Sequence, residues 1–308
     1  MAENSHGGVL PWLSLLTIWI VWGSTYLGMN MAVETIPPFF MTAMRFFLAA
    51  PILLSVAIPA WKRGDIHLTK TQVKSASIVG VLLLLGGTGL GALAQRLLDS
   101  SFAALMVSLS PIWMSVFTGL KTKVAPSPKI IGALVVGLVG IGIMVGGPGG
   151  GDISMWGVII ILVSSLFWAY GTVLSRFMEL PHHSFMSSGI QMLAGGTSLL
   201  ILAGILGEFQ EFELAGVSDR SWIGFLWLVS AGSLLAYSAY MHANRNLPIE
   251  IVSTYAYVNP IIAVVLGASL DGDPLGPNVI IGGTVILLAV VFIVSGHITR
   301  RGPIARMG

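Results

Sequence analysis

Arg45 stands inside a long apolar run, Met44-Arg45-Phe46-Phe47-Leu48, and is the only lysine or arginine clearly within such a run. A charge held away from water costs at least about 2.5 kcal/mol on insertion scales, so it needs a partner or a wet cavity. Three uses fit it: a counter-charge for the carboxylate of a small molecule, a structural donor to carbonyls of a neighbouring segment, or a side chain snorkelling to an interface. Aromatic and hydroxyl residues recur in the same kind of run: Trp22 with Ser24 two residues on, Trp113, Trp168, Tyr237, Tyr240, Tyr255 and Tyr257. Gathered around a pocket they would suit a neutral or zwitterionic amphipathic molecule. Tryptophan also collects at membrane–water interfaces, and any one of these rings can serve packing alone. The amides Gln191, Asn244 and Asn259 lie in or near apolar runs, where bonding between helices is their usual use.

The missing residues exclude several chemistries. The chain has no Cys, which removes disulfides, thiolate metal sites and cysteine nucleophiles. No Asp or Glu stands near the centre of an apolar run; Glu34 and Glu250 lie at ends, and His242 is the one internal imidazole. Proton-coupled pathways usually carry a titratable group, so facilitated movement or exchange is the first expectation, with proton coupling the alternative. Gly146 to Gly151 lacks the Lys-Ser/Thr of a phosphate loop. Asp271-Gly272-Asp273 is too short for a calcium loop, and His182-His183 has no further ligands near it in sequence. No cofactor and no metal is expected. An enzyme working at membrane depth needs paired Asp, Ser/His or His/Glu clusters; none appears. A scaffold for other membrane proteins is the other alternative.

The elements that must position these residues follow from composition. Of 308 residues, 55% are apolar and 9% charged, against roughly a quarter charged in soluble domains. Hydrocarbon is the natural solvent. A spanning helix needs about 20 apolar residues, and ten stretches qualify, near 10–33, 38–60, 75–95, 101–120, 129–147, 155–176, 185–207, 221–244, 249–270 and 278–298. In lipid the backbone must satisfy itself, so these are helices. The first is too long for a signal-peptide core and lacks a basic segment before it, and reads as a retained helix. With both termini cytoplasmic, inner loops and tail hold twelve basic residues (Lys62, Arg63, Lys70, Lys74, Lys121, Lys123, Lys129, Arg176, Arg245, Arg300, Arg301 and Arg306) against Arg96 and Arg220 outside. That asymmetry fits the positive-inside rule. The basic pI is therefore topology signal, with no nucleic-acid partner implied.

The two halves of the chain align. Trp22-Gly23-Ser24 matches Trp168-Ala169-Tyr170, Ala94-Gln95-Arg96 matches Ala243-Asn244-Arg245, and Ser110-Pro111 matches Asn259-Pro260, with an offset growing only from about 146 to about 150. Trp22 and Trp168 are thus equivalent and could face one another as walls of a cavity. Pro111 and Pro260 can kink equivalent helices and are candidate hinges. Five helices per unit is odd, so the second unit, 155–298, enters the membrane opposite to the first, 10–147. Inverted pairs of this kind build secondary transporters with a site between the repeats near the midplane.

Trp22-Gly23-Ser24-Thr25-Tyr26, Ile36-Pro37-Pro38, Met44-Arg45-Phe46-Phe47-Leu48-Ala49-Ala50, and Ala103-Ala104-Leu105 leading to Leu109-Ser110-Pro111 resemble the EamA domain of the drug/metabolite transporter superfamily. Val252-Ser253-Thr254-Tyr255-Ala256-Tyr257-Val258-Asn259-Pro260 repeats the pattern. The resemblance covers nearly the whole chain as two tandem units. It implies a bacterial inner-membrane exporter of small metabolites, amino acids first, with cationic drugs as the other substrate class. It further implies a ten-helix basket whose cavity is lined by helices one to four and six to nine, placing Gln191 of helix seven on that cavity, with helices five and ten peripheral. Where many members carry Gly-Glu after helices four and nine, this chain reads Gly119-Leu120-Lys121 and Leu270-Asp271-Gly272.

Overall fold

A computed structural model describes residues 9–124, 128–146, 153–252 and 254–298, and among them there is no strand. Among these described residues ten apolar helices form one bundle: α1 (Val9–Val33), α2 (Pro38–Lys62), α3 (Lys70–Gln95), α4 (Ser100–Thr122), α5 (Pro128–Gly146), α6 (Met155–Phe177), α7 (Ser184–Ile205), α8 (Asp219–Asn246), α9 (Tyr255–Leu266, continued by Gly267–Asp271) and α10 (Pro277–Ile298). Seven of them (α1–α4 and α6–α8) are long and apolar enough to cross a bilayer. The described apolar parts of α5, α9 and α10 are shorter. The glycine run beyond Gly146 lies outside the described residues.

Ends follow local chemistry. Thr69 and Gln72 close a reciprocal capping box at the start of α3, and Ser154 and Ser218 accept the orphan amides of Gly157 and Ser221 at the starts of α6 and α8. Two helices differ from the sequence expectation. Helix nine begins at Tyr255, not 249, because a separate turn, Ile249–Val252, precedes it. Thr254 Oγ1 turns back on the Ile251 carbonyl (2.6 Å) while accepting from Trp19 Nε1 (3.1 Å), a junction fixed by a residue far away in sequence. α4 breaks at Ser108-Leu109. Pro111 has no amide to offer the Val107 carbonyl, and Ser110 Oγ takes that bond instead at 2.6 Å. Pro260 lies within the Tyr255–Leu266 segment.

Four helices contain π-helical turns: Ile18–Trp22 in α1, Val81–Gly89 in α3, Leu228–Tyr237 in α8 and Gly267–Asp271 in α9. Such turns shift side-chain phase locally and gather at functional sites. Those of α3 and α8 fall on positions that the internal repeat aligns.

Glycine sets the closest approaches, as small residues do between helices in lipid. A Cβ on Gly80 of α3 would stand 2.3 Å from the Gln191 carbonyl oxygen of α7, and one on Gly224 of α8 would stand 2.5 Å from the Gly28 carbonyl of α1. Helices α5 and α10 pack on each other through Gly140 and Gly282 and turn Ile131, Val135, Val139, Ile280, Ile281 and Leu288 outward.

Bonds between helix ends give their directions. Arg220, beginning α8, pairs with Glu34 after α1 (2.6 Å) and with Asp271 ending α9. Arg176, ending α6, bonds Asn244, ending α8. Relative to α8, therefore, α1 runs antiparallel and α6 parallel, so equivalent helices of the two halves run in opposite directions. The face holding Glu34, Arg220 and Asp271 is called the outer face below, and its opposite the inner face.

The backbone contact at Gly80 sets a stability test. Gly80→Val should lower the melting temperature of the purified protein by several degrees, since neither backbone can withdraw without moving a helix. Gly132→Ala, where an added Cβ meets nothing within 4 Å, should leave it within about a degree. Equal melting curves for the two variants would contradict the packing described.

Candidate functional site

Arg45 lies about two turns into α2 from its outer end and is buried. Its Nε donates to Ser233 Oγ of α8 at 2.6 Å, and its guanidinium carbon lies 5.2 Å from the Phe46 ring centroid. A Cβ on Gly232 would come within 2.8 Å of Arg45 Nη2, so the guanidinium rests against bare backbone in the π-helical turn of α8. Among the described residues no carboxylate pairs with it. Neither snorkelling nor a cage of carbonyls accounts for Arg45: the side chain is inside the bundle, bonded to a hydroxyl, on the wall of a cavity.

That cavity, about 780 Å³ counted with the open space it joins, lies between α1, α2, α3, α4, α6, α8 and α9. Five residues singled out from the sequence line it: Trp22, Arg45, Trp168, Tyr237 and Tyr255. Trp22 and Trp168 meet edge to face with centroids 5.4 Å apart, and Trp22 lies 5.5 Å from Tyr255. Trp168 Nε1 donates to the Tyr255 hydroxyl at 2.9 Å. Tyr240 closes this aromatic layer from behind, 4.8 Å from Trp22 and 5.4 Å from Trp168, with its hydroxyl 2.5 Å from Thr172 Oγ1. The layer is therefore pinned at both ends by polar bonds, rings in the middle.

Several expected lining residues are elsewhere. Gln191 is fully buried and does not line the cavity: it accepts from the Tyr237 hydroxyl (2.6 Å) and donates to Ser187 (2.9 Å). Its amide is consumed by packing because α7 meets α3 backbone to backbone at Gly80. Ser24 faces α8, accepting from Trp227 Nε1 at 3.1 Å. Trp113 packs between apolar clusters, and Tyr240 supports the wall without lining it. The Tyr257 side chain lies outside the described residues.

Other polar groups on the wall were not singled out as lining residues: Thr25, Tyr26, Thr88, Gln95, Ser164 and Ser165, together with Asn259. The adjacent pair Ser164-Ser165 in an apolar run was the available signal. Three buried atoms of this set have no hydrogen-bond partner: Gln95 Oε1, Ser165 Oγ and Asn259 Oδ1. A buried acceptor without a donor costs about 1–3 kcal/mol, and a cavity that admits a solute is where such a cost is returned.

The outer loops brace the site. Glu208 accepts the orphan amides of Phe39 and Phe40 at the start of α2, the helix that carries Arg45. Burial raises its carboxyl above the ordinary range, against the lowering effect of those two amides. Asp273 accepts from Ser100 Oγ, Ser101 N and Ser101 Oγ at the start of α4. Burial, and then the nearby Asp273, raise Asp99.

A cavity lined by aromatic rings and a buried arginine, between two oppositely running sets of membrane helices, defines a membrane transporter. The chain belongs to the EamA-like transporter family, whose sequence profile matches residues 10–146 and 155–295; it is a multi-pass membrane transporter and not an enzyme. It is 34% identical over 287 residues to the uncharacterized inner membrane transporter YedA of Escherichia coli K12, covering 92% of this chain and 90% of that one. It is 23% identical over 290 residues to the S-adenosylmethionine/S-adenosylhomocysteine transporter of Chlamydia muridarum, covering 90% and 86%. A solved crystal structure superposes with a TM-score of 0.65 at 16% identity, covering 94% of this chain and 97% of its own, which shows a shared fold.

The bonding of Gln191 makes a coupled pair. Gln191→Leu should cost about 1–3 kcal/mol by stranding the Tyr237 hydroxyl, and adding Tyr237→Phe should recover part of that loss. Melting temperatures of the two single variants and the double variant check it; strictly additive losses would show that the two side chains do not depend on each other.

Proposed function

We propose that this transporter moves small amphipathic zwitterions, amino acids first, by alternating access. The observation that carries the reading is Arg45, a buried guanidinium on the cavity wall bonded to a hydroxyl, with no carboxylate paired to it among the described residues. A solute carboxylate supplies the missing anion and can take the planar donors of the guanidinium in two parallel bonds. Asn259 Oδ1 and Ser165 Oγ, unpartnered in the lining of the same cavity, can accept from a solute ammonium, and the Trp22, Trp168 and Tyr255 rings suit an apolar side chain and the cation beside it. The solutes in the name of the Chlamydia relative, S-adenosylmethionine and S-adenosylhomocysteine, both carry an α-amino carboxylate, which agrees with this arrangement. A cationic drug would meet Arg45 as a like charge, so that class is disfavoured.

Movement is by facilitation or exchange, because no Asp or Glu of the sequence stands near the middle of a span to carry a proton. We place the protein in a bacterial inner membrane with both termini cytoplasmic. The loop charges support this, as does the name of the E. coli relative.

Purified protein in liposomes, tested with radiolabelled amino acids, should show saturable uptake that an imposed proton gradient leaves unchanged. The corresponding amines and methyl esters, which lack the carboxylate, should not compete. Arg45→Gln should lower uptake efficiency at least thirtyfold, on the order of the cost of removing one partner of a buried charged pair. Wild-type uptake by that variant, or competition by the amines, would sink the carboxylate reading.

A further inference from the structure

Two repeat-equivalent clasps close the bundle at its opposite faces. At the inner face Arg176, ending α6, donates from Nε (3.0 Å) and Nη2 (2.8 Å) to Asn244 Oδ1 of α8, and from Nη2 to the Leu247 carbonyl (3.2 Å). Asn244 Nδ2 in turn donates to Ser175 Oγ at 3.1 Å. At the outer face Asn30, near the end of α1, donates from Nδ2 to the backbone carbonyls of Gln95 (3.3 Å), which ends α3, and of Leu98 (3.5 Å) just beyond it.

The internal alignment relates these groups one to one. The offset that maps Trp22 onto Trp168 maps Asn30 onto Arg176; the offset that maps Ala94-Gln95-Arg96 onto Ala243-Asn244-Arg245 also maps Leu98 onto Leu247. One turn deeper the same offsets map Tyr26 onto Thr172 and Gly91 onto Tyr240. The inner pair is in contact, small Thr172 against large Tyr240. The outer pair inverts the sizes, large Tyr26 and small Gly91, and both line the cavity.

The two clasps differ in strength. The inner donor is a guanidinium holding a side-chain oxygen with two N–H groups. The outer donor is a neutral amide making two long bonds to backbone, while Gln95 Oε1, the counterpart of Asn244 Oδ1 as a side-chain acceptor, is buried at the cavity wall without a partner. Below the inner clasp a recess of about 840 Å³, lined by Arg176, Asn244 and Arg245 among others, already hollows the inner side.

We infer that Asn30–Gln95/Leu98 and Arg176–Asn244/Leu247 are the paired outer and inner closures of the transport cycle, and that their unequal strength sets which face opens by preference. The outer closure yields first, so the resting protein favours opening outward. This rests on the alternating-access reading above but not on the identity of the solute.

The chain has no cysteine, so Thr88→Cys, on the cavity wall in α3, gives a single label site. Its reaction with a membrane-impermeant maleimide is timed from each face in vesicles of known orientation, without solute. Arg176→Gln and Asn244→Leu should shift the outer-to-inner ratio of labelling rates about tenfold towards the inner face, the scale of a charge-assisted hydrogen bond. Asn30→Leu should shift it about fivefold the other way, the scale of a neutral one. Should Asn244→Leu fail to fold, Asn244→Asp gives Arg176 a carboxylate and should shift labelling outward. Unchanged ratios, or a shift of the same sign for Asn30→Leu and Arg176→Gln, overturn the paired closures. Labelling from one face only in every variant overturns alternating access itself, a distinguishable failure.

Discussion

A guanidinium inside a membrane bundle is the constraint on which the rest of this structure turns. Arg45 cannot face lipid, and no carboxylate of the described residues neutralises it. Its position is tolerable only because α8 offers Ser233 as an acceptor and, at Gly232, a surface with no side chain to displace it. Both residues lie in the π-helical turn Leu228–Tyr237. The turn also carries Tyr237, whose hydroxyl ties α8 to α7 through Gln191. α7 in turn meets α3 backbone to backbone at Gly80. The charge, the bulged turn and the glycine contacts are thus successive consequences of seating one cation beside a cavity.

The cavity combines groups that would be mutually expensive in a dry interior. Apolar rings supply its area, while an arginine and three unpartnered polar atoms supply its unsatisfied chemistry. A protein selected only for stability would pair or remove those atoms, since a hydrogen bond left unmade costs more than a made one contributes. Their retention around one cavity agrees with a space that must bind a solute and then release it. The bonds to either side bear on release: the aromatic layer is anchored through Tyr255 and Thr172, and its support lies on helices whose ends carry the two clasps.

Legibility in the sequence was uneven for definite reasons. Helix positions were readable because each apolar run is long and ends in charge, proline or glycine, and lipid permits few other structures. Helix nine was misplaced at its start because Thr254 and Trp19, 235 residues apart, fix that junction. Among the amides, Gln191 stands within an apolar run and Gln95 at the end of one, and nothing in the residue type tells their fates apart. One is saturated by Tyr237 and Ser187, the other is left open at the cavity wall. The difference lies in their neighbours, not in themselves. Trp22 and Trp168 could be paired beforehand because the repeat makes them equivalent; Ser24 lies in the same aligned triplet yet turns to Trp227 of α8, and Trp113 packs between apolar clusters, both apart from the cavity.

The sequence alone determined the solvent, the helix count, the opposed sense of the two halves and the presence of one charge needing a partner. Each of these follows from local composition or from the parity of a repeat. Tertiary structure alone decided which face of each helix meets the cavity, which polar atoms remain unbonded there, and that the equivalent ends are clasped unequally. These depend on close approach between segments distant in sequence, set by where glycines let backbones touch, and a linear pattern of residue types does not encode that distance.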